Sequence, residues 1–482
     1  MNQATSLLRW NRTRALGAAL GSALAVAVGT LVALSGSSID ITAGLAVVCA
    51  YFVFAAVSLR EPSIFAAVFL LVLEVLPPFY FSQLGETPVY LSFFLLPIAL
   101  AIIIARFPDL LFPWDPVAKG LVVFLGATAL SIPFALWLSG VQVAIDSLSR
   151  WLLLSHAGLV YYLIRGAGRM HASGTERGMF RLLLIGSVVS AAYGILDFVW
   201  PVPISHPSAD QFIWLNSSIL RRAQGVFYES SNFANFCGFF LVPVSTALLT
   251  HRERYLRLPR SLLLLFVSVL GLAILVGFSR STWASVLVAV FISIVLCRIK
   301  VGRGLLVFLG LAVPLFLLWT FSPELWDYLL SARVGRLGDI FTDPNVATSG
   351  RFDTWLRVLS IMRDHPQYLI FGIGYKTLPV TRLFHEEIIT DNGYLSLLLE
   401  TGIFGLAGFL ILSRAILTTF SKLARSTAEV PAFWSAVLFS AWCGELVLLV
   451  AADAYTYWRN IAVLTALMAL TMNLVERAES EQ

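Results

Sequence analysis

Two stretches of this chain place arginines and acids where they could handle a phosphate and a proton. In the first, Arg221, Arg222, Gly225, Phe227, Glu229, Ser230, Ser231 and Asn232 come just before an apolar run, and Ser279-Arg280-Ser281 separates two more. A guanidinium suits bidentate contact with phosphate oxygens. Ser230, Ser231 and Asn232 are N-cap residue types, so one of them is expected to cap the next helix. The free N–H groups of a helix start beside two arginines would attract an anion, and Glu229 there would be an ion-pair partner or a base.

The second stretch reads Gly350-Arg351-Phe-Asp-Thr-Trp355, then His365-Pro366, Gly372-Ile-Gly374 and Asp391-Asn392-Gly393-Tyr394. A helix with Glu400 and Gly402-Ile-Phe-Gly405 follows. Asp391 could take a proton from a hydroxyl or simply cap that helix. Gly372-Ile-Gly374 lacks the strand and dinucleotide unit of a nucleotide site. A Gly-x-x-Gly in an apolar helix favours close packing.

The elements that must position these residues are membrane helices. The 482 residues are 58% hydrophobic and 13% charged, with a mean hydropathy of +0.84, outside the range of an ordinary soluble domain. Crossing roughly 30 Å of hydrocarbon takes about 20 apolar residues. Runs near 15–35, 41–59, 62–79, 89–105, 116–139, 150–164, 180–200, 230–250, 261–278, 281–297, 304–320, 393–413, 432–452 and 459–475 meet or approach that length. The expectation is an all-α polytopic bundle of about 12–14 spans forming a single membrane domain, 1–482. The alternation of a barrel strand is absent.

With the N-terminus inside, alternation puts 21 of the 33 Lys and Arg residues in inside loops, the orientation that the positive-inside bias favours. Both termini are then cytoplasmic, and 201–229 and 321–392 are outside loops, the larger carrying an amphipathic helix over Thr354 to Asp364. Trp355, Val358, Leu359 and Met362 share one face of it. Arg280 lies in a turn so short that its guanidinium must sit close to the membrane boundary, since at hydrocarbon depth an arginine costs roughly 2.5–3.5 kcal/mol; there it binds either lipid headgroups or an anionic, membrane-borne substrate.

The basic N-terminus precedes an apolar run too long for a cleaved leader. Cys49, Cys237, Cys297 and Cys443 are scattered singly, and no two of the six histidines have metal-site spacing. Basic residues spread over many loops do not form a nucleic-acid surface. Acids in or near spans (Glu74, Asp197, Glu445, Asp453) are functional candidates or satisfied interhelical partners.

In this order the motifs resemble the O-antigen ligase/polymerase superfamily of integral-membrane glycan enzymes, over roughly Arg221 to Leu410. The family's Arg, Gly-x-Phe and acid-Pro-Ser/Asn-x-x-Ala pattern is met by Arg222, Gly225-Val-Phe227 and Glu229 to Ala234, with Ser230 in place of the proline. Its Ser-Arg turn matches Ser279-Arg280, and its Gly-Arg-x-x-x-Trp, His-Pro and Gly-x-Gly series matches Gly350 to Trp355, His365-Pro366 and Gly372 to Gly374. Ligases of the family have a His-Asn pair where this chain has Asp391-Asn392, and His385 is six residues upstream.

The Asp-Asn pair with Glu229 looks more like a polymerase of lipid-linked repeat units; a ligase transferring glycan to lipid A core or another acceptor is the alternative. A flippase or transporter is the remoter one, expected to carry charge deep in many helices.

The resemblance implies a GT-C-like membrane glycosyltransferase of the bacterial inner membrane, working on its outer face without metal or cofactor. The implied substrates are a polyprenyl-diphosphate-linked donor and acceptor within the bilayer, with a chain-length regulator and a flippase as partners. Arg222, Arg280 and Arg351 are expected on the diphosphate, and Asp391 or Glu229 as base. Asn392 and Asn232 are expected to position substrate.

Overall fold

The computed structural model describes residues 38–480 except 78, 85–86, 111–113, 171–174, 201–210, 216–218, 298–314, 317–318, 321–322, 329, 332–341, 349, 382, 385–386 and 427. The expected span 15–35, nearly all of 304–320, much of both long loops and His385 therefore lie outside the described residues.

The chain is a helical membrane bundle. Helices α1 (Ser38–Arg60) and α2 (Pro62–Val75) lead through a two-stranded ribbon, β1 (Phe79–Leu84) and β2 (Thr87–Val89), to α3 (Leu91–Leu110). Then come α4 (Pro116–Ala129), α5 (Ile132–Ser139), α6 (Val141–Met170) and α7 (Thr175–Val199), and a second ribbon of β3 (Phe212–Trp214) and β4 (Ile219–Arg221). Helix α8 (Ser230–Thr250), the short α9 (Glu253–Leu256), α10 (Arg260–Val276) and α11 (Arg280–Leu296) follow. The long loop contributes α12 (Pro323–Tyr328), α13 (Pro344–Thr348), α14 (Arg351–Asp364) and α15 (Tyr368–Phe371). The chain closes with α16 (Gly393–Leu423), α17 (Glu429–Leu448) and α18 (Trp458–Ser480).

Among the described residues six helices are long and apolar enough to cross a membrane, with α4 and α5 counted together, and five shorter apolar helices accompany them. Their burial separates centre from rim. Residues of the α8 span are 94% buried, against 28% for the span over Pro116–Ser139. So α8 is enclosed by other helices, while most of the α4–α5 span lies at the outside of the bundle.

Small residues bring backbones together where helices cross. A Cβ on Gly120 of α4 would lie 2.9 Å from the Leu412 Cα of α16, and one on Gly444 of α17 would lie 2.7 Å from the Ser285 carbonyl of α11. At the end where α6 and α18 finish, buried Arg165 meets Asp115 at 3.3 Å, Glu476 at 2.5 Å and Asn473 at 2.5 Å. That network ties the starts and stops of α4, α6 and α18.

The amphipathic helix forms as expected and begins at Arg351 rather than Thr354. Val358 and Met362 are buried in a small separate core with Ile373, Leu378, Ile388 and Leu399. Leu359, placed on the same face by the sequence, is 48% exposed. The packed stripe passes through Trp355, Val358 and Met362 and leaves Leu359 at its edge.

The glycines of the loop are packing devices. Gly372 (φ 77°) and Gly402 (φ 68°) hold left-handed backbone that L side chains rarely adopt. A Cβ on Gly372 would fall 2.2 Å from the Glu400 carbonyl oxygen, and one on Gly402 the same distance from that of Ile370. Helix α16 is kinked at Gly402, which lets the loop backbone press against it. Ile373 and Gly374 donate their N–H groups to the carbonyls of Leu399 and Glu400 at 3.2 and 2.9 Å.

Candidate active site

The candidate residues gather at the end of the bundle where α8, α11, α16 and α18 begin. Alternation along the chain had put all of these starts on one side of the membrane.

Asn392 occupies the N-cap of α16, and its side-chain oxygen accepts from Tyr394 N at 3.2 Å and Leu395 N at 3.1 Å. This corrects the reading in which Asp391 caps the helix: the amide beside it has that role. Asp391 instead sits on left-handed backbone (φ 45°) and receives Arg351 Nε at 2.9 Å. The two side chains are 32% and 41% exposed, so the pair lies at an open rim. Trp355 Nε1 donates to the Thr390 carbonyl at 2.8 Å, pinning α14 beside the loop segment that delivers Asp391. Arg351 is thus placed on a carboxylate here, where the sequence had suggested diphosphate.

Glu229 stands at the N-cap position of α8 without making a cap bond. The expectation that Ser230, Ser231 or Asn232 would cap this helix is not met. Ser230 Oγ donates to Gln211 Oε1. Ser231 Oγ donates to Glu229 Oε2 at 3.4 Å and accepts from Tyr457 OH at 2.9 Å. The Asn232 carbonyl takes Asn460 Nδ2 of α18 at 3.0 Å, so Asn232 faces the bundle interior.

Burial pushes the Glu229 carboxyl above the ordinary glutamate value. Lys376 pulls it back, Asp391 and Asp453 push it further up, and the Ser231 hydroxyl lowers it. Burial likewise holds the Tyr457 phenol well above its usual value, reinforced by Glu229.

Arg222 and Arg280 meet at one turn. Arg222 extends the β3–β4 ribbon, its N–H on the Gln211 carbonyl at 2.7 Å. Its Nε and Nη2 clasp the Gly277 carbonyl at 3.0 and 2.6 Å. Three residues on, Arg280 opens α11 after Ser279, whose Oγ accepts from Thr282 N at 3.4 Å. Arg221 is committed elsewhere: it pairs with buried Asp197 of α7, whose second oxygen accepts from Gln224 N and Gly225 N at 3.3 and 3.1 Å. Asp197 is therefore a structural acid.

The loop and the start of α18 add groups that the sequence reading did not assign. Lys376 Nζ lies 3.0 Å from Asp453 Oδ2. Asp453 Oδ1 accepts from Ser396 Oγ at 2.8 Å and Thr390 Oγ1 at 3.3 Å. Buried Glu400 accepts from the backbone of Lys376 and Leu378 at 3.0 and 3.1 Å and from Tyr455 OH at 2.8 Å. Burial would lower the Lys376 ammonium, but Asp453, Glu400 and Glu229 outweigh it and hold the group above the usual lysine value. Asp453 could be suspected from its type and place; Lys376 carried no signal beyond following Gly372-Ile-Gly374-Tyr375.

Among the described residues no three His, Cys, Asp or Glu side chains are arranged to hold a metal ion. The acids here are held by an ammonium, a guanidinium and hydroxyls. Arg222 and Arg280 at one turn could bind a diphosphate, and Asp391 at the open rim or Glu229 at the start of α8 could accept a hydroxyl proton.

Residues 263–410 match the family model for O-antigen ligase, under a third of the chain. No curated protein matches the chain. The matched segment contains Arg280, Arg351, Asp391, Asn392 and Lys376, while Arg222, Glu229 and Asn232 precede it. Over that segment the chain is similar to O-antigen ligases, and its apolar helices make it a multi-pass membrane protein.

Proposed function

We propose that this protein polymerises oligosaccharide repeat units carried on a polyprenyl diphosphate, at the outer face of the bacterial inner membrane. The observation that carries the reading is the meeting of two kinds of group at one end of the bundle. Arg222 and Arg280 share the 277–280 turn, and Glu229, through the Ser231 hydroxyl and Tyr457, joins the turn that carries Asp453. The turn abuts the start of α8, since a Cβ on Gly277 would lie 3.3 Å from the Ser230 carbonyl oxygen.

In the reaction the acceptor hydroxyl attacks the anomeric carbon of the donor sugar. The bond from that carbon to the phosphate oxygen breaks, and the lipid diphosphate departs with the electron pair. Arg280 and Arg222 stabilise the charge gathering on the departing diphosphate. Asp391, or Glu229 behind it, takes the hydroxyl proton. Arg351 holds Asp391 toward the open rim. The carbon changes partner once, with no redox step.

Asp391 in place of the ligase histidine favours polymerisation; the description of the matched family favours the second reading, a ligase. The test is purified protein in lipid bilayers supplied with lipid-linked repeat units, with and without lipid A core. A ladder of lipid-linked polymer supports the polymerase. Glycan appearing only on lipid A core supports the ligase. No transfer to either acceptor sinks both.

A further inference from the structure

The short helix α15 belongs to the long loop, yet it packs on the membrane spans. Phe371 stacks on Phe134 of α5 with 4.7 Å between ring centroids and 8° between planes, and on Phe404 of α16 at 5.3 Å and 24°. Both partners lie in helices long and apolar enough to cross a membrane. Phe134 is 18 residues past Pro116, so at about 1.5 Å per residue it stands no more than about 27 Å above the start of its span. A hydrocarbon core is roughly 30 Å thick, so the stack lies at hydrocarbon depth. Beside it Ile370 is 50% and Phe371 37% exposed, and the neighbouring outward side chains of the spans are Leu136, Trp137 and Ile403. An apolar patch thus runs from α5 across α15 to α16.

The backbone of the segment is closed as well. Tyr368 and Leu369 donate their N–H groups to the carbonyls of His365 and Pro366 at 3.1 Å each, and Gly372 donates to Tyr368 at 2.9 Å. Ile373 and Gly374 donate to α16, as described above. Hydrocarbon demands such internal bonding, and non-helical backbone at that depth is tolerated only against protein. The polar side chains respect the same boundary. His365 and Gln367 are exposed just before the helix, and the next charged residue, Lys376, turns to Asp453.

We propose that α15 is a re-entrant foot of the loop, seating Ile370 and Phe371 among the acyl chains of the adjacent leaflet, the outer one in the orientation proposed above. Bilayer lipid is the occupant because the patch continues the outward faces of two spans, and because α15 itself, Tyr-Leu-Ile-Phe, carries no charged side chain with which to hold a polar partner. The inference stands apart from the glycan-transfer reading and survives if that reading fails.

The test is the depth of a fluorophore. Ile370→Cys in a cysteine-free, full-length protein is labelled with a nitrobenzoxadiazole probe and reconstituted in phosphatidylcholine vesicles with iodide on both sides. The probe should be quenched by doxyl groups on the acyl chains. Its quenching by iodide should be several-fold weaker than at Arg363→Cys, a position where the native side chain is 79% exposed. Iodide quenching equal to that at residue 363 puts α15 in water and overturns the inference. Quenching by neither agent puts a protein surface over the patch and overturns it too. The wild-type protein gives a second measurement that depends on no variant: phospholipid carrying a diazirine in its acyl chain should leave an adduct within 368–371. Adducts on α5 and α16 with none on that segment would refute the foot.

Discussion

Asp391→Asn separates chemistry from architecture because the structure bounds what the change can cost the fold. The Arg351–Asp391 contact is 2.9 Å long but 32% and 41% exposed, and ion pairs that open to solvent contribute about 0–1 kcal/mol. No cap is lost, since Asn392 supplies both bonds to the start of α16. The left-handed backbone at 391 (φ 45°) suits Asn as well as Asp. Stability should therefore fall by less than about 1 kcal/mol. Losing a general base costs on the order of 10²–10⁴ in rate, which is roughly 2.7–5.4 kcal/mol of barrier. The two ranges do not overlap. The assay pairs thermal unfolding in bilayers with initial rates of polymer growth on lipid-linked repeat units. A variant with unchanged unfolding that polymerises within about threefold of wild type, far short of the loss a missing base would give, refutes Asp391 as the base.

Three further outcomes follow from the same geometry. Arg280→Lys keeps the charge and loses the bidentate fork, so the rate should fall about tenfold or more at normal protein level; normal polymer amount and length would remove Arg280 from the diphosphate site. Gly402→Ala would put a Cβ 2.2 Å from the Ile370 carbonyl oxygen at φ 68°, so unfolding temperature and activity should both drop, by about 1–2 kcal/mol for the backbone alone; a wild-type melting curve would contradict the close approach. In a cysteine-free background, an impermeant maleimide should label Asn345→Cys in intact spheroplasts and leave Ser426→Cys untouched, and the reverse pattern would invert the topology.

The helices were legible because a membrane leaves the chain little choice: each span has to be a continuous apolar run with its backbone bonded internally. In the loop outside the spans, the helix boundary shifted where local packing decided, to Arg351 in place of Thr354. Residue types that could cap were legible too, but which of several neighbours caps was not. Ser230 and Ser231 have the right chemistry, yet Gln211 and Tyr457 engage them first, while at α16 the cap fell to Asn392 and released Asp391. Such competition is settled by partners far away in the chain, which a local motif does not contain.

The same reasoning explains why the candidate residues could be named from the sequence and their charged neighbour Lys376 could not. Charge is costly within hydrocarbon, so the polar groups of a membrane enzyme concentrate where spans begin and end. Arg280, Glu229 and Asp391, the candidates named from the sequence, stand at such starts. What tunes them comes from contacts across the fold. Lys376 reaches Asp453 from 77 positions away in sequence, and it can do so because Gly372 and Gly402 let the loop lie against the kink in α16. The loop is therefore more than a cover over the membrane helices. By seating the Lys376 backbone on Glu400, it brings the ammonium to Asp453 in the turn before α18, so a loop substitution that leaves every candidate catalytic residue untouched should still lower transfer activity.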